Sequence, residues 1–349
     1  MAVKLKPIDR QVIVITGATS GNGLATAREA VARGAAVVLA ARNQAALERI
    51  AGELRASGGR VAICRADVGL DEDVERIAEV AIDAFGGFDT WVNDAAAATY
   101  GKMEKTSMDD HRRVFDVNYF GLVKGSLLAA AHLRARGGAI INVGSVLSDR
   151  SGILQGPYSA TKHAVKAATD ALRMELAEDG APVSVTLIKP SAMHTPYPEH
   201  ARNYMDEPAR LPPILYDPRL VADAILFAAE HPKRQLYVGF FGYLISLGGR
   251  FAPSVTDVLM TMWGRRLQTD AEQPPDPAIN DNLYEPRQDG AVDGHQDYFV
   301  RSSSLWLEAQ KHPLAATAAT AAAGAVAMFA WSASRKRREV VGQSPSAVA

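Results

Sequence analysis

A short run of β-branched residues at positions 12–15 leads directly into a glycine-rich turn, and apolar residues at helical spacing follow. A strand, a glycine turn and a helix in this order form a phosphate cradle. The first N–H groups of the helix have no partner within the helix, and the helix dipole favours an anion there. Gly17 permits the tight bend, Gly21 lets the backbone approach a pyrophosphate, and Gly23 lets the helix pack on the strand. The pattern predicts a βα unit that binds phosphate groups; a glycine-rich surface turn is the alternative interpretation.

Strand and helix patterns alternate along the chain as far as residue 238. Such alternation indicates right-handed βαβ units and a parallel sheet with helices on both faces. We therefore predict a doubly wound (Rossmann) α/β fold with seven parallel strands in the order 3-2-1-4-5-6-7. In a sheet of this kind, ligands bind beyond the carboxyl ends of the strands. The predicted strands are residues 12–15, 36–40, 61–64, 88–92, 139–143, 183–188 and 235–238.

The composition is that of an ordinary globular protein, since 48% of the 349 residues are hydrophobic and 22% are charged. The formal net charge of -1 gives no reason to expect a nucleic-acid partner. Cys64 is the only cysteine, which excludes an internal disulfide and a thiolate metal cluster, and no metal site is predicted. Residues 1–11 lack the apolar core of a signal peptide. We therefore expect a cytoplasmic protein with one large domain and an extension.

The ends of the second and third predicted strands carry candidate contacts for an adenosine. In dinucleotide folds an acidic residue at the end of the second strand favours NAD, whereas an arginine accepts the 2′-phosphate of NADP. Arg42 therefore predicts NADP(H) in preference to NAD(H), and a solvated arginine at a helix start is the alternative. Asp67 after the third strand could accept a hydrogen bond from an adenine amino group. It could equally cap the helix that begins near residue 71, and both interpretations stay open.

Tyr158 and Lys162 lie four residues apart, so on a helix they share one face. A neighbouring ammonium favours the phenolate and lowers the pKa of a tyrosine, which could then exchange a proton with a carbonyl or alcohol oxygen near neutral pH. The pair by itself also arises by chance. Ser145 follows the fifth strand on the same edge of the sheet as the glycine turn, so we expect its hydroxyl to face Tyr158 across the cleft.

These motifs and their order resemble the short-chain dehydrogenase/reductase family over residues 8–239, in the subgroup with a TGxxxGxG cofactor turn and a YxxxK active site. The thirteen-residue step from Ser145 to Tyr158 is also similar to that of the family. The matching residues are Thr16, Gly17, Gly21, Gly23, Asp67, Asn93, Ala95, Asn118, Ser145, Tyr158, Lys162, Pro190 and Thr195.

The resemblance implies a role for each matching residue. Tyr158 would be the general acid in reduction, and Ser145 would hydrogen-bond the substrate oxygen. Lys162 would lower the pKa of Tyr158 and bind the nicotinamide ribose. Asn118 would hold a water in a proton relay, and Thr195 would contact the nicotinamide carboxamide. The expected cofactor-binding residues are Thr16, Gly17, Ser20, Gly21, Asn22, Gly23, Arg42, Asp67, Val68, Asn93, Ala95, Tyr158, Lys162, Pro190 and Thr195.

Two segments depart from the family pattern. Residues 93–96 are Asn-Asp-Ala-Ala where the family has Asn-Asn-Ala-Gly, and Ser191 replaces the glycine that usually follows Pro190. Each departure puts a small residue in place of a glycine, so the backbone at Ala96 and Ser191 is expected to avoid positive φ. No catalytic side chain is lost, so the departures bear on cofactor affinity and not on the chemistry.

Residues 191–218 form a proline-rich segment with mixed apolar and aromatic side chains. A long irregular loop is usually functional or disordered, and this family closes over its substrate in this region. We therefore expect a lid over a small lipophilic carbonyl or alcohol substrate. His194 in this segment is a candidate additional acid or base, and a hydrogen-bonded or exposed loop histidine is the alternative.

The resemblance fades beyond residue 239. Residues 240–263 are apolar and could form a dimer surface, a wall of the substrate pocket or a membrane-touching helix. Residues 269–296 are predicted to be extended or mobile. Residues 314–331 are uncharged and alanine-rich, and four basic residues follow at 335–338. Their length is marginal for a bilayer span, although the basic flank is usual at an interface. We expect membrane attachment through residues 313–338, with an exposed alanine-rich helix as the alternative.

The sequence therefore predicts an NADP(H)-dependent oxidoreductase that interconverts a carbonyl and a secondary alcohol and forms a homo-oligomer. We expect a catalytic domain at residues 1–245, an extension at 246–312 and a candidate membrane-anchor helix with a basic tail at 313–349. Two alternatives are a non-catalytic nucleotide-binding redox sensor or scaffold, and a membrane-associated lipid or sterol reductase.

Overall fold

Seven parallel strands form one sheet in the computed structural model, which describes residues 3–270, 281–287 and 290–319 together with Ala321, Met328 and Trp331. The strand order is β3-β2-β1-β4-β5-β6-β7, which confirms the predicted doubly wound topology. The strands are β1 (Val12–Thr16), β2 (Ala36–Ala41), β3 (Arg60–Arg65), β4 (Thr90–Asn93), β5 (Gly138–Val143), β6 (Val183–Pro190) and β7 (Gln235–Val238).

The central strands are apolar along nearly their whole length because helices cover both faces of the sheet. Val14 in β1 pairs with Val38 in β2 and with Trp91 in β4, and all three side chains are fully buried. Leu133 from a helix packs into the same core cluster. Burial on both faces fixes the register of the strands, so their carboxyl ends meet along one edge.

Helices connect the strands, and the long helical region between β4 and β5 is divided. A π-helical segment, Asp116–Phe120, joins its two halves and carries Asn118. Single π-helical turns of this kind are frequent at functional sites. The helices are α1 (Gly21–Ala32), α2 (Gln44–Ala56), α3 (Asp71–Phe85), α4 (Met108–Phe115), α5 (Gly121–Leu133), α6 (Gly156–Glu178), α7 (Tyr197–His200), α8 (Arg219–Glu230), α9 (Phe240–Phe251), α10 (Pro253–Gln268) and α11 (Leu305–Lys311).

The chain divides into two compact units, Met1–Ser304 and Leu305–Ala349. The first unit contains the sheet and helices α1 to α10. The second contains α11, and residues 313–319 in it are helical as well. No helix among the described residues is long and apolar enough to cross a bilayer. Most of the predicted anchor at 313–338 lies outside the described residues.

Candidate active site

A cleft of about 380 Å³ lies at the carboxyl edge of the sheet. It is lined by the glycine turn, by the ends of β2, β5 and β6, and by residues of α6, α9 and α10. Most of the predicted site residues reach it. Those that line the cleft are Gly17, Ser20, Gly21, Asn22, Arg42, Asp67, Val68, Ala95, Ser145, Tyr158, Lys162, Pro190 and Thr195.

The glycine turn between β1 and α1 has the shape of a phosphate cradle. Gly17 has φ +72°, and a Cβ there would lie 2.9 Å from the backbone of Ala95. A Cβ at Gly23 would lie 2.2 Å from the Gly17 carbonyl oxygen. The side-chain oxygen of Asn22 in the same turn is buried and has no hydrogen-bond partner in the structure. The tight backbone turn at this helix N-terminus fits a dinucleotide pyrophosphate, whose oxygens accept from N–H groups. The Asn22 oxygen can only accept a hydrogen bond, from a group such as a ribose hydroxyl.

Ser145, Tyr158 and Lys162 come together on the opposite side of the cleft. Ser145 begins the short 3₁₀ helix after β5, and its Oγ accepts a hydrogen bond of 3.0 Å from the N–H of Leu147. Ser145 lies near enough to Tyr158 to lower the pKa of its phenol. The Nζ of Lys162 donates to the carbonyl oxygen of Val143 at 2.8 Å and lies 5.5 Å from the centroid of the Tyr158 ring.

The expected lowering of the Tyr158 pKa does not occur in this structure. Burial raises the pKa of Tyr158 above its ordinary value, because the phenolate loses its solvation. The Ser145 side chain lowers the pKa of Tyr158, and the nearby carboxylate of Asp94 raises it further. The Lys162 ammonium donates to the Val143 carbonyl oxygen, and it does not offset the effect of burial on the pKa of Tyr158. Tyr158 is therefore a protonated acid at neutral pH, as a donor to a carbonyl oxygen must be.

Aromatic contacts hold the Tyr158 ring in place. The ring of Tyr197 packs edge-on against it with centroids 5.4 Å apart, and Tyr197 also contacts Tyr100 at 6.0 Å. The Tyr197 hydroxyl donates to Gln155 Oε1 at 2.9 Å, so the second ring is itself fixed. Because Tyr197 comes from the segment predicted to cover the substrate, the lid and the candidate acid are in direct contact.

Asp94 is a member of the site that the sequence motifs did not identify as functional. Its carboxylate lies against the glycine turn, since a Cβ at Gly23 would lie 2.9 Å from Asp94 Oδ2. Burial raises the pKa of Asp94 to about 7, while Lys162 and the Gly23 N–H lower it. Burial in turn lowers the pKa of Lys162 to about 8, while Asp94 raises it. The departure from the family pattern at residues 93–96 therefore places an ionisable group beside the candidate catalytic lysine.

Four predicted residues support the site without lining the cleft: Thr16, Gly23, Asn93 and Asn118. The Thr16 hydroxyl accepts from the N–H groups of Asp94 and Ala95, which ties the end of β1 to the loop after β4. The Asn93 side chain donates to Asn142 Oδ1 at 2.9 Å within the sheet.

Asn118 is fully buried, and both polar atoms of its side chain hydrogen-bond to protein groups. Its Oδ1 accepts from the Ala97 N–H at 2.7 Å, and its Nδ2 donates to the Ala97 carbonyl oxygen and to Thr161 Oγ1. The Thr161 hydroxyl donates in turn to the Tyr158 carbonyl oxygen at 2.7 Å. The π-helical segment thus fixes the start of α6. The water that the family resemblance implies at Asn118 remains a prediction.

The two candidate adenosine contacts have protein partners. Asp67 pairs with the guanidinium of Arg113, and its other oxygen accepts from the Gly69 N–H. The N-cap of α3 is Leu70, so Asp67 does not cap that helix. Arg42 lies at the end of β2 as predicted, and its guanidinium donates to backbone carbonyls of the C-terminal extension. No local sequence pattern predicts that contact, because the two segments are about 240 residues apart.

The rest of the cleft is apolar where a substrate would enter. Leu211 and Ile214 come from the lid segment, and Phe241 and Ile245 come from α9. Met260 in α10 lines the cleft as well. Of the three interpretations of residues 240–263, the structure therefore favours a pocket wall for the inner faces of α9 and α10. His194 is a hydrogen-bonded loop histidine, since its Nε2 lies 3.1 Å from the Gln296 carbonyl oxygen.

A doubly wound sheet with a glycine cradle and a serine, tyrosine and lysine at one cleft defines a dinucleotide-dependent oxidoreductase. The short chain dehydrogenase family model matches residues 11–205. The uncharacterized oxidoreductase YxnA of Bacillus subtilis (strain 168) is 44% identical over 339 residues, which are 96% of this chain and 94% of the relative.

Solved structures show the same similarity. A short chain dehydrogenase from Burkholderia cenocepacia J2315 in complex with NADP is 25% identical, with a TM-score of 0.62 over 73% of this chain and 99% of that chain. The 3-ketoacyl-(acyl-carrier-protein) reductase from Brucella melitensis complexed with NADH is 28% identical, with a TM-score of 0.58 over 66% of this chain and 97% of that chain.

The chain therefore belongs to the short-chain dehydrogenase/reductase family. It is an NAD(P)-dependent dehydrogenase/reductase that acts on alcohol and carbonyl groups.

Proposed function

We propose that the protein reduces a small lipophilic ketone or aldehyde with NADPH and catalyses the reverse oxidation of the alcohol. One observation supports the reaction above the others: Ser145, Tyr158 and Lys162 line the same cleft as the glycine cradle. The cofactor supplies the hydride when it is bound. The protein supplies a proton donor and holds the carbonyl oxygen close to that donor.

The proposed division of work follows from the side chains. Tyr158 gives its phenolic proton to the carbonyl oxygen, and Ser145 donates a hydrogen bond to the same oxygen as alkoxide charge develops. Lys162 holds the nicotinamide ribose with its ammonium, which Val143 keeps in place. The apolar lid and the inner faces of α9 and α10 exclude water and bind the hydrocarbon part of the substrate. We assign this chemistry to residues 1–245 and the remaining pocket wall to the extension at 246–312.

The proposed preference for NADP(H) rests on Arg42 at the end of β2 and on the absence of an acidic residue at Ala41. A guanidinium there pairs with the 2′-phosphate, whereas NAD(H) has no charge at that position to attract it. The similar structures do not decide the preference, because one contains NADP and another contains NADH.

We further propose that the protein self-associates and contacts a membrane surface through residues 313–338. Self-association is supported by apolar side chains on α10 that are more than half exposed, including those of Val255, Met262 and Trp263. The membrane contact is supported by the basic residues at 335–338 behind an alanine-rich stretch.

The test is a screen of NADPH oxidation against ketones, aldehydes and ketosteroids of graded size. We expect turnover to rise with the apolar area of the substrate until the cleft is filled. Tight NADPH binding without turnover of any carbonyl compound would favour the redox sensor or scaffold instead. Turnover confined to ketosteroids or other lipids would favour the lipid or sterol reductase.

A further inference from the structure

Part of the C-terminal extension crosses the adenosine side of the cleft, and we call residues 281–287 and 290–294 the strap. Asn282, Pro286 and Arg287 of the strap line the same cleft as Arg42 and the glycine turn. The strap therefore supplies wall residues to the cleft, beside those from the glycine turn, the strand ends and helices α6, α9 and α10.

The main chain of the strap is held by the two arginines of the adenosine end. The Arg42 guanidinium donates to the three consecutive carbonyl oxygens of residues 282–284, with Nη1 2.9 Å from the Tyr284 oxygen. The Nε of Arg113 donates to the Leu283 oxygen at 2.9 Å. Arg113 also pairs with Asp67, so the strap contacts Arg42 directly and reaches Asp67, the other candidate adenosine contact, through Arg113.

A buried side chain anchors the first part of the strap. Leu283 has no exposed surface and packs against Ala97, Val114 and Val117. Ala97 and Val117 also line the cleft, so the anchor of the strap and the cleft share a wall.

Two polar side chains latch the strap from outside the cleft. The Tyr284 hydroxyl donates to Asp110 Oδ1 at 2.9 Å. The carboxylate of Asp281 pairs with the Nε of Arg202 at 2.8 Å, and Arg202 belongs to the lid segment. Neither Asp281 nor Tyr284 lines the cleft itself.

The second part of the strap covers the glycine turn. The N–H of Gly21, the first residue of α1, donates to the Ala291 carbonyl oxygen at 2.9 Å. The N–H of Gly294 donates to the His194 oxygen at 3.2 Å, and a Cβ at Gly294 would lie 2.6 Å from the Thr195 oxygen. The strap therefore uses an amide of the phosphate cradle and connects the cradle to the lid.

We propose that the strap is a gate on the cofactor cleft, which must lift before a dinucleotide enters or leaves and then closes over its adenosine half. The gated ligand is NADP(H), so the inference rests on the proposed function. A gate slows entry and exit alike, because both need the same opening. A segment that only contacts bound cofactor slows exit and leaves entry unchanged.

The test compares wild type with the double variant Asp281→Asn/Tyr284→Phe, which weakens the latch outside the cleft. Asparagine keeps an oxygen for the hydrogen bond from the Leu283 N–H, and phenylalanine keeps the ring. Asp179→Asn is the matched control, because its carboxylate pairs with Arg134 at an exposed site on α6. Stopped-flow NADPH fluorescence gives the association and dissociation rates, and hydrogen exchange reports the strap amides without cofactor.

We expect both rates to rise about tenfold in the double variant, with the Kd changed by less than about twofold. The Asn282 amide, which donates to His200, should exchange faster while the amides of β1 keep their protection. The control should match wild type. Unchanged rates, or a rise in dissociation alone, would overturn the gate. If wild type binds NADPH and the rates fail to rise, only the gate fails. If it binds neither NADPH nor NADH, the proposed function fails with it.

Discussion

The carboxyl group of Asp94 and the ammonium of Lys162 favour each other's charged forms within the cleft, while burial opposes both charges. As a result the pKa of Asp94 is raised to about 7 and that of Lys162 is lowered to about 8. Two groups whose pKa values lie far apart in water thus titrate close together, near Tyr158, the proposed proton donor.

Replacing Asp94 should move the titration of Lys162. Because the Asp94 carboxylate raises the pKa of Lys162, the Asp94→Asn variant should lower the pKa of Lys162. If the proposed reaction needs the ammonium, the alkaline limb of kcat/KM against pH should shift to lower pH. Asp179→Asn should leave the profile unchanged. An alkaline limb that stays in place or moves to higher pH would show that the two groups are not coupled as described.

The same carboxyl group should make the protein less stable as the pH rises. The folded-state pKa of about 7 lies above the ordinary value of 3.8, so between these values the folded state binds more protons than the unfolded state. The contribution of Asp94 to the free energy of unfolding therefore decreases from about pH 4 to pH 7. The Asp94→Asn variant has no carboxyl group to ionise there, so it should not lose this stability as the pH rises. Urea unfolding at pH 5 and pH 8 should show the variant gaining stability relative to wild type at the higher pH, and an equal difference at both would contradict the burial of the charge.

Arg42 should decide between the two nicotinamide cofactors. Arg42→Ala should weaken NADPH binding by roughly 1.5–3 kcal/mol, the loss of a charge-assisted contact, and leave the Kd of NADH nearly unchanged. Arg42→Ala also loosens the strap. A looser strap should raise the association and dissociation rates of NADPH and NADH alike, so it should not alter the difference between their Kd values. The Kd values are measured by titrating NADPH and NADH into wild type, Arg42→Ala and the exposed control Arg134→Ala. A wild-type preference for NADH would rule out the assignment.

The alanine-rich tail should bind membranes, and its response to salt should distinguish a surface-bound tail from an inserted one. Attraction of Arg335, Lys336, Arg337 and Arg338 to anionic lipid contributes about 1 kcal/mol per charge and is screened by salt. We expect full-length protein to partition with membranes at low salt, and truncation after His312 to abolish this with activity unchanged. Release in high salt would indicate a surface-bound tail, and release only in detergent an inserted one. Full-length protein that stays in the soluble fraction at low salt would exclude attachment.

Local patterns were sufficient to predict the sheet, because each strand is a buried apolar run and each helix has its own periodicity. They also placed Ser145 at the carboxyl edge of the sheet, because it follows β5, and they placed Tyr158 and Lys162 on one face of a helix. The partners of Arg42 could not be predicted, because the carbonyl groups of residues 282–284 carry no side-chain signal and lie far along the chain. The raised pKa of Tyr158 was missed for a related reason: spacing places Lys162 beside the ring, but only the fold determines how much water is removed.

In the proposed reaction, Tyr158 donates the proton to the substrate carbonyl. Tyr158→Phe keeps the ring that packs against Tyr197 and removes only the hydroxyl. The decisive measurement is single-turnover reduction of a carbonyl substrate by the variant with NADPH prebound, beside an NADPH titration. We expect the variant to bind NADPH with wild-type affinity and to turn over ~100-fold more slowly or worse. Near-normal turnover with normal NADPH binding would contradict it.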